Sequence, residues 1–146
     1  MTSLSAAKAI LEADTTLLTT ATGGVWDYDE AGRKGLSRTV TPGAFDSNGI
    51  IKPCLLLKLR DAVPDGAIAD DATQTVSLRE VLEVWFYQDT GYDKIATMRE
   101  RVYSKLQAVQ LTDTYGCWWA GDVRGARDTD LDAATERSDY TVRRRR

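Results

Sequence analysis

Apolar and polar positions carry the clearest pattern over residues 77–106. Leu78, Leu82 and Val84 are apolar there, Arg79, Glu80 and Gln88 are polar, and Glu83 falls where the alternation assigns no face. The stretch then closes on an unbroken run, Val84-Trp85-Phe86-Tyr87. Such a run of β-forming residues predicts a long strand covered on both faces, although pattern alone does not exclude a helix. Asp89-Thr90-Gly91 breaks it, and Asp89 or Thr90 is the expected cap of the next element. Ile95, Met98, Val102 and Leu106 then recur at three- and four-residue steps, with Glu100 and Arg101 on the other side. This is an amphipathic helix over 92–106, folding back onto a sheet.

The rest of the chain predicts elements of the same kind. A helix runs from about Ser3 or Ser5, either of which can cap it, to Ala13, with Ala6, Ala9 and Ile10 on its apolar side. Asp14 reads as a second cap for a short turn or helix carrying Leu17 and Leu18, stopped by Gly23-Gly24. Residues 25–28 form a short strand with Trp26 and Tyr28 on one face. Residues 53–60 are a buried strand led by Pro53, and 61–74 are a connection turning at Pro64-Asp65-Gly66. Residues 115–121 are a strand in which Trp118 and Trp119 point to opposite faces, so that one enters the core. Residues 122–135 connect to a closing strand at 136–145.

Between the first two strands the pattern fails. Residues 29–52 hold Gly32, Gly35, Gly43 and Gly49, Pro42 and a Ser47-Asn48-Gly49 turn signal. A loop of that length in a compact domain is a functional loop, a binding arm or a tolerated insertion. Arg33, Lys34 and Arg38 make it locally basic, without the spacing of a phosphate-binding loop.

Composition narrows the chemistry. The chain has 146 residues, 42% hydrophobic and 28% charged, a formal net charge of −3 and no histidine. That length suits one domain with a real core. The missing histidine removes the commonest general base and metal ligand. Cys54 and Cys117 sit in apolar runs and read as buried free thiols. The N-terminus lacks the apolar core of a signal peptide and no apolar run is long enough to span a bilayer, so the expectation is a soluble protein made in the cytoplasm.

Candidate catalytic groups are few. Asp27, Asp29 and Glu30 are an acidic cluster that could supply an acid and a base to a small hydrolase, but one local cluster is weak support. Asp70-Asp71 lacks the frame of a calcium loop. The run Arg143-Arg144-Arg145-Arg146 is a candidate phosphate grip, set against an acidic stretch before it. No catalytic residue, metal site or cofactor is expected. Trp118 and Trp119 are interface candidates, since tryptophan is enriched at hot spots, and Arg33, Lys34, Arg38, Arg143, Arg144 and Arg145 join them as charged contacts.

Taken in order, the N-terminal helix, the Val25-Trp26-Asp27 strand, the Pro-led apolar strand, the strand ending Glu83-Val84-Trp85-Phe86, the helix at 92–106 and the tryptophan-bearing strand form a recognisable series. The series resembles the tail terminator, or tail completion, proteins that act in head–tail joining in long-tailed bacteriophages. The resemblance implies a single α+β domain over 1–146. Its mainly antiparallel β-sheet would be packed by the amphipathic helix 92–106 and the N-terminal helix; the long Gly-rich loop or arm at 29–52 exceeds what the resemblance leads one to expect. It also implies a structural virion protein that is not an enzyme. Such a protein forms a homo-oligomeric, hexameric ring at the virion tail or neck. Its partners would be further copies of itself, the tail tube protein and a head-tail connector or stopper. DNA would pass through the lumen without specific binding, and no membrane would be involved. Another head-tail joining or tail tube component is the near alternative. A small nucleic-acid-binding protein using the C-terminal arginines is the more distant one.

Overall fold

The computed structural model describes residues 2–68, 75–112 and 114–145. The fold is α+β. Its elements are α1 (Ser3–Glu12), α2 (Thr15–Thr20), β1 (Val25–Asp27), α3 (Tyr28–Ala31), β2 (Cys54–Ile68), β3 (Thr75–Gln88), α4 (Asp93–Leu106), β4 (Thr114–Asp128) and β5 (Ala133–Arg145). The five strands form one sheet in the order β1-β2-β3-β5-β4. Only the short β1–β2 pairing is parallel; the other three are antiparallel.

Strand alternation gives the sheet one face packed on the helices and a second that is buried over part of its length. On one, Leu82, Val84 and Phe86 of β3, with Leu55 and Leu57 of β2, pack against the helices. Leu11 of α1, Leu17 of α2 and the predicted stripe Ile95, Met98, Val102 and Leu106 of α4 supply the other side of that core. On the opposite face Cys54, Leu56 and Tyr87 are covered by Ala31, Leu36, Ala44, Phe45 and Ile51. The Val84–Tyr87 run is therefore apolar throughout because both faces are covered.

Of the loop and the arm left open for 29–52, that second cover shows a loop folded back on its own sheet. The segment opens with α3, contains a 3₁₀ turn at Pro42–Ala44, and closes through an isolated bridge between Phe45 and Ile51. Five of its apolar side chains, Ala31, Leu36, Ala44, Phe45 and Ile51, fall at irregular spacings that no helix or strand period reveals, yet are buried, while Val40 and Ile50 stay exposed. Tyr28, expected as the end of a strand, begins α3 instead.

The strands also run longer than their apolar stretches. β2 continues through the expected Pro64-Asp65-Gly66 turn to Ile68, absorbing it as register shifts at Arg60/Val63 and Pro64/Ala67. β4 extends to Asp128 with three more irregularities. Bulges let turn-forming residues sit inside a ladder, so their composition misleads. The Asp70-Asp71 pair lies outside the described residues.

Helix starts are fixed by side chains other than those expected. Thr2, rather than Ser3 or Ser5, caps α1 in a reciprocal capping box with Ser5. Asp14 makes no cap hydrogen bond, because its carboxylate is held by Arg101 of α4. At α4 neither Asp89 nor Thr90 caps. The last residue of β3 does so: Gln88 Oε1 accepts from the Ile95 N–H at 2.9 Å, while its Nε2 donates to Thr90 O at 2.6 Å and Asp93 Oδ1 at 2.9 Å. One buried amide thus satisfies the helix N-terminus and locks the strand-to-helix joint.

Candidate interaction surface

Two of the three carboxylates considered for catalysis, Asp27 and Glu30, are engaged in structure, and Asp29 is exposed. Asp27 Oδ1 accepts from the Glu30 N–H at 3.0 Å, and Glu30 Oε2 accepts from the Asp27 N–H at 3.3 Å. Glu30 Oε1 also takes the Lys8 ammonium at 2.5 Å. This is a capping box for α3 tied to α1, which accounts for Asp27 and Glu30 without a reaction. Among the described residues no three His, Cys, Asp or Glu side chains are grouped to hold a metal ion. Both cysteines are buried and free, and burial pushes the Cys117 thiol up to about 12, leaving it inert as a nucleophile.

Exposed apolar surface gathers along β4, the edge strand next to β5. Tyr115 is 57% exposed, Trp118 38%, Trp119 46% and Val123 47%. Trp118 and Trp119 do leave opposite faces, but neither enters the core. On the helix face, Trp119 meets Tyr103 of α4 edge-on, with ring centres 6.3 Å apart at 84°. Its indole N–H donates to Asp122 Oδ1 at 3.0 Å. On the other face Trp118 lies over Gly116, where an added Cβ would stand 2.5 Å from the ring. Glycine at 116 is the space in which that indole rests.

Beneath Trp119 lies a polar network that the sequence did not signal. Arg99 Nη1 reaches Glu136 Oε1 at 2.9 Å and its Nε is 3.7 Å from Asp122 Oδ2. Ser138 Oγ donates to Asp122 Oδ1 at 2.7 Å. Burial drives the Asp122 carboxyl upward, but hydrogen bonds from Ser138, Trp119 and Arg124 and the charge of Arg99 outweigh it, holding the group below its ordinary range. The network holds Trp119 from below through its hydrogen bond to Asp122.

The β4 edge itself is blunted. The Ala108 N–H donates to Cys117 O at 2.8 Å, the Trp119 N–H donates to Gln107 Oε1 at 2.7 Å, and the Tyr92 hydroxyl donates to Ala126 O at 2.8 Å. With bulges at three places, this edge offers side chains rather than an open ladder.

The basic candidates separate. Arg33 and Lys34 are exposed beyond α3. Arg38 is used locally: Nε donates to Gly49 O at 2.7 Å and the guanidinium stands 4.9 Å from the Phe45 ring centre. The arginine run is not a loose tail, since Arg143, Arg144 and Arg145 all lie in β5, between β3 and β4. Alternation splits them. Arg144 turns to the helix face, where its Nη2 meets the buried Glu80 at 2.6 Å, and Arg143 stands on the other face beside Arg79. Arg146 lies outside the described residues.

No protein-family model matches the chain, and no curated protein matches it. Among solved structures, a chain described as "Virion of native gene transfer agent (GTA) particle" has the same fold, with a TM-score of 0.64 and 20% identity. The match covers 97% of this chain and 92% of that one.

Proposed function

We propose that the chain is a structural virion protein: a tail terminator whose copies close into a homo-oligomeric, hexameric ring at the end of a phage-like tail tube, beneath the head-tail connector. The observation that carries this reading is the end-to-end likeness to a chain of a gene transfer agent virion. The surface supports it. A closed ring of more than two copies needs two different complementary patches on each subunit. The aromatic strip of Tyr115, Trp118, Trp119 and Val123 on β4 is one candidate, and the exposed Arg33 and Lys34 at the opposite margin of the sheet belong to another. Asp27 and Glu30 of the acidic cluster are spent on a helix cap, which is consistent with a protein that assembles rather than catalyses. Another head-tail joining or tail tube subunit would share all these features.

Particle mass by light scattering, with negative-stain images of the same sample, tests the proposal. The expected result is a ring with a central hole, alone or on added tail tubes. A monomer at every concentration, with no affinity for tail tubes, overturns it.

A further inference from the structure

A sheet edge presents main-chain groups that need partners, and this sheet closes much of its edge from within. β4 is blunted by Gln107, Ala108 and Tyr92. On β1 the Asp27 N–H donates to Glu30 Oε2 at 3.3 Å. A regular stretch of β2 is left open. β1 pairs with β2 only from Val25–Leu55 to Asp27–Leu57, and the chain then turns away into α3. The Leu55 N–H donates to Gly24 O at 3.1 Å, so the Leu55 main chain faces β1. Alternation turns the N–H and C=O of Leu57 and Leu59 to the same side. Leu59 stands past the end of β1, and no hydrogen bond from another described residue reaches its main chain there.

This open edge lies against a cavity of about 570 Å³. Leu4 of α1, Tyr28 and Asp29 of α3, and Lys58, Leu59 and Arg60 of β2 line it. Its charges are balanced. Arg60 is held by Glu83 at 2.7 Å and by Asp61 at 3.3 Å. Lys58 Nζ stands 4.3 Å from the Tyr28 ring centre and 5.1 Å from that of Trp85, with Asp29 on the same cavity. A balanced site selects neither a polyanion nor a polycation. What it offers is one unpaired donor and one unpaired acceptor in ladder register. Beside them are Leu4 and Leu59, which both pack on the helix-face core.

We propose that this cavity receives an extended segment of a partner polypeptide, which continues the sheet past the end of β1. The free N–H and C=O of Leu59 match the main chain of an added strand, the pairing by which peptides join sheet edges. A residue directly opposite Leu59 shares its face of the sheet. The occupant therefore carries an aliphatic side chain there, against Leu4 and Leu59, and polar side chains on either side of it, beside Lys58 and Arg60. The site is short. About three residues fit along Lys58–Arg60, at roughly 3.3 Å each. Beyond Arg60 a register shift and the positive φ of Asp61, 47°, end the regular edge. Flanked by α1 and α3, the cavity admits a single extended chain, whereas the sheet edge of a second folded copy would meet those helices first. The inference concerns a different surface from the β4 patch and does not need a ring.

The test is selection of random linear peptides from a displayed library on the immobilised full chain. Amide exchange of the free chain then follows, with and without a selected peptide made synthetically. The selected sequences should share an aliphatic residue flanked by polar ones, and saturating peptide should slow exchange at the Leu59 N–H by about tenfold or more. Affinity should change by less than about twofold between about 50 and 300 mM salt, as a balanced site requires. Leu59→Thr, checked for native circular dichroism, should bind about tenfold more weakly through its lost apolar contact. Lys94→Gln, at an exposed position on α4, should bind as the parent does. No enriched sequence, an unchanged Leu59 amide in the complex, or binding lost as salt rises overturns the proposal. So does protection of Leu59 that appears without peptide as particle mass rises, which would assign the edge to a second copy.

Discussion

Arg101 grips Asp14 with two parallel hydrogen bonds, Nε to Oδ2 at 2.6 Å and Nη2 to Oδ1 at 2.8 Å. The pair spans 87 residues and pins the start of α2 to the middle of α4. The Asp14 side chain is only 5% exposed, and the Arg101 hydrogen bonds hold its carboxyl below the ordinary value of 3.8. A carboxyl with a depressed folded-state pKa contributes stability that is present above its unfolded value and lost as pH falls through the folded one. Stability should therefore decline below about pH 4. The Arg101→Met variant should be less stable at neutral pH and show a flatter acid limb. Urea midpoints between about pH 2 and 7 measure both, and an acid limb identical to the parent's would mean that the pair contributes nothing.

The α4 stripe is the next test. Val102 is fully buried among the helix-face core residues. Val102→Asp places a charge there with no partner and should cost several kcal/mol, about 3 or more. Chemical denaturation of soluble material checks this, and insoluble expression with recovery in Val102→Ile would give the same answer.

The joint between β3 and α4 rests on Gln88. Gln88→Ala removes the acceptor of the Ile95 N–H and the donor to Asp93. The expected loss is about 1 to 2 kcal/mol, the scale of a lost helix cap. Gln88→Glu keeps an acceptor but loses the donor and faces Asp93, so it should not rescue. Thermal melts of the three proteins, read with amide exchange at Ile95, separate a cap effect from a packing effect.

These residues also show how much could be read from the chain. The stripe at Ile95, Met98, Val102 and Leu106 and the run Val84–Tyr87 are periodic, and they gave the helix, the central strand and the two-sided burial. Gln88 was invisible as a cap because it precedes the helix by a whole joint and acts through its fold-back, whereas capping rules look one residue upstream. Leu36, Phe45 and Ile51 were invisible as a second cover because irregular packing has no period. Trp118 and Trp119 were named as interface candidates by residue type alone, and that role stays a proposal. The hold on Trp119 comes from Asp122 and the Arg99, Glu136 and Ser138 side chains around it, which meet across α4, β4 and β5 and leave no linear signature.

An arginine paired with a buried carboxylate should differ sharply from an exposed one. Arg144→Ala leaves the buried Glu80 carboxylate without its guanidinium and should cost about 3 kcal/mol. Arg33→Ala, at an exposed site, should stay within about 0.5 kcal/mol. The double variant Arg144→Met/Glu80→Leu should recover much of the loss, because an apolar pair replaces a desolvated ionic one. Equal effects of Arg144→Ala and Arg33→Ala would show that the Glu80 pair is not formed.

The ring reading turns on the β4 patch, and its members are not equivalent. Trp119 donates to Asp122 and meets Tyr103, so its removal disturbs the monomer as well as any contact. Tyr115 and Trp118 are exposed. Tyr115→Ser/Trp118→Ser should therefore leave the melting temperature within a few degrees of the parent, about the shift expected of surface changes. If these rings are the hot spot of a head-to-tail contact, each should contribute on the order of 2 kcal/mol to it. Every junction of a ring repeats that loss, so ring formation should fail at concentrations where the parent assembles. Sedimentation velocity of both proteins reads the outcome. Rings unaffected by the double change would move the contact away from Tyr115 and Trp118, to Trp119 and the margin carrying Arg33 and Lys34.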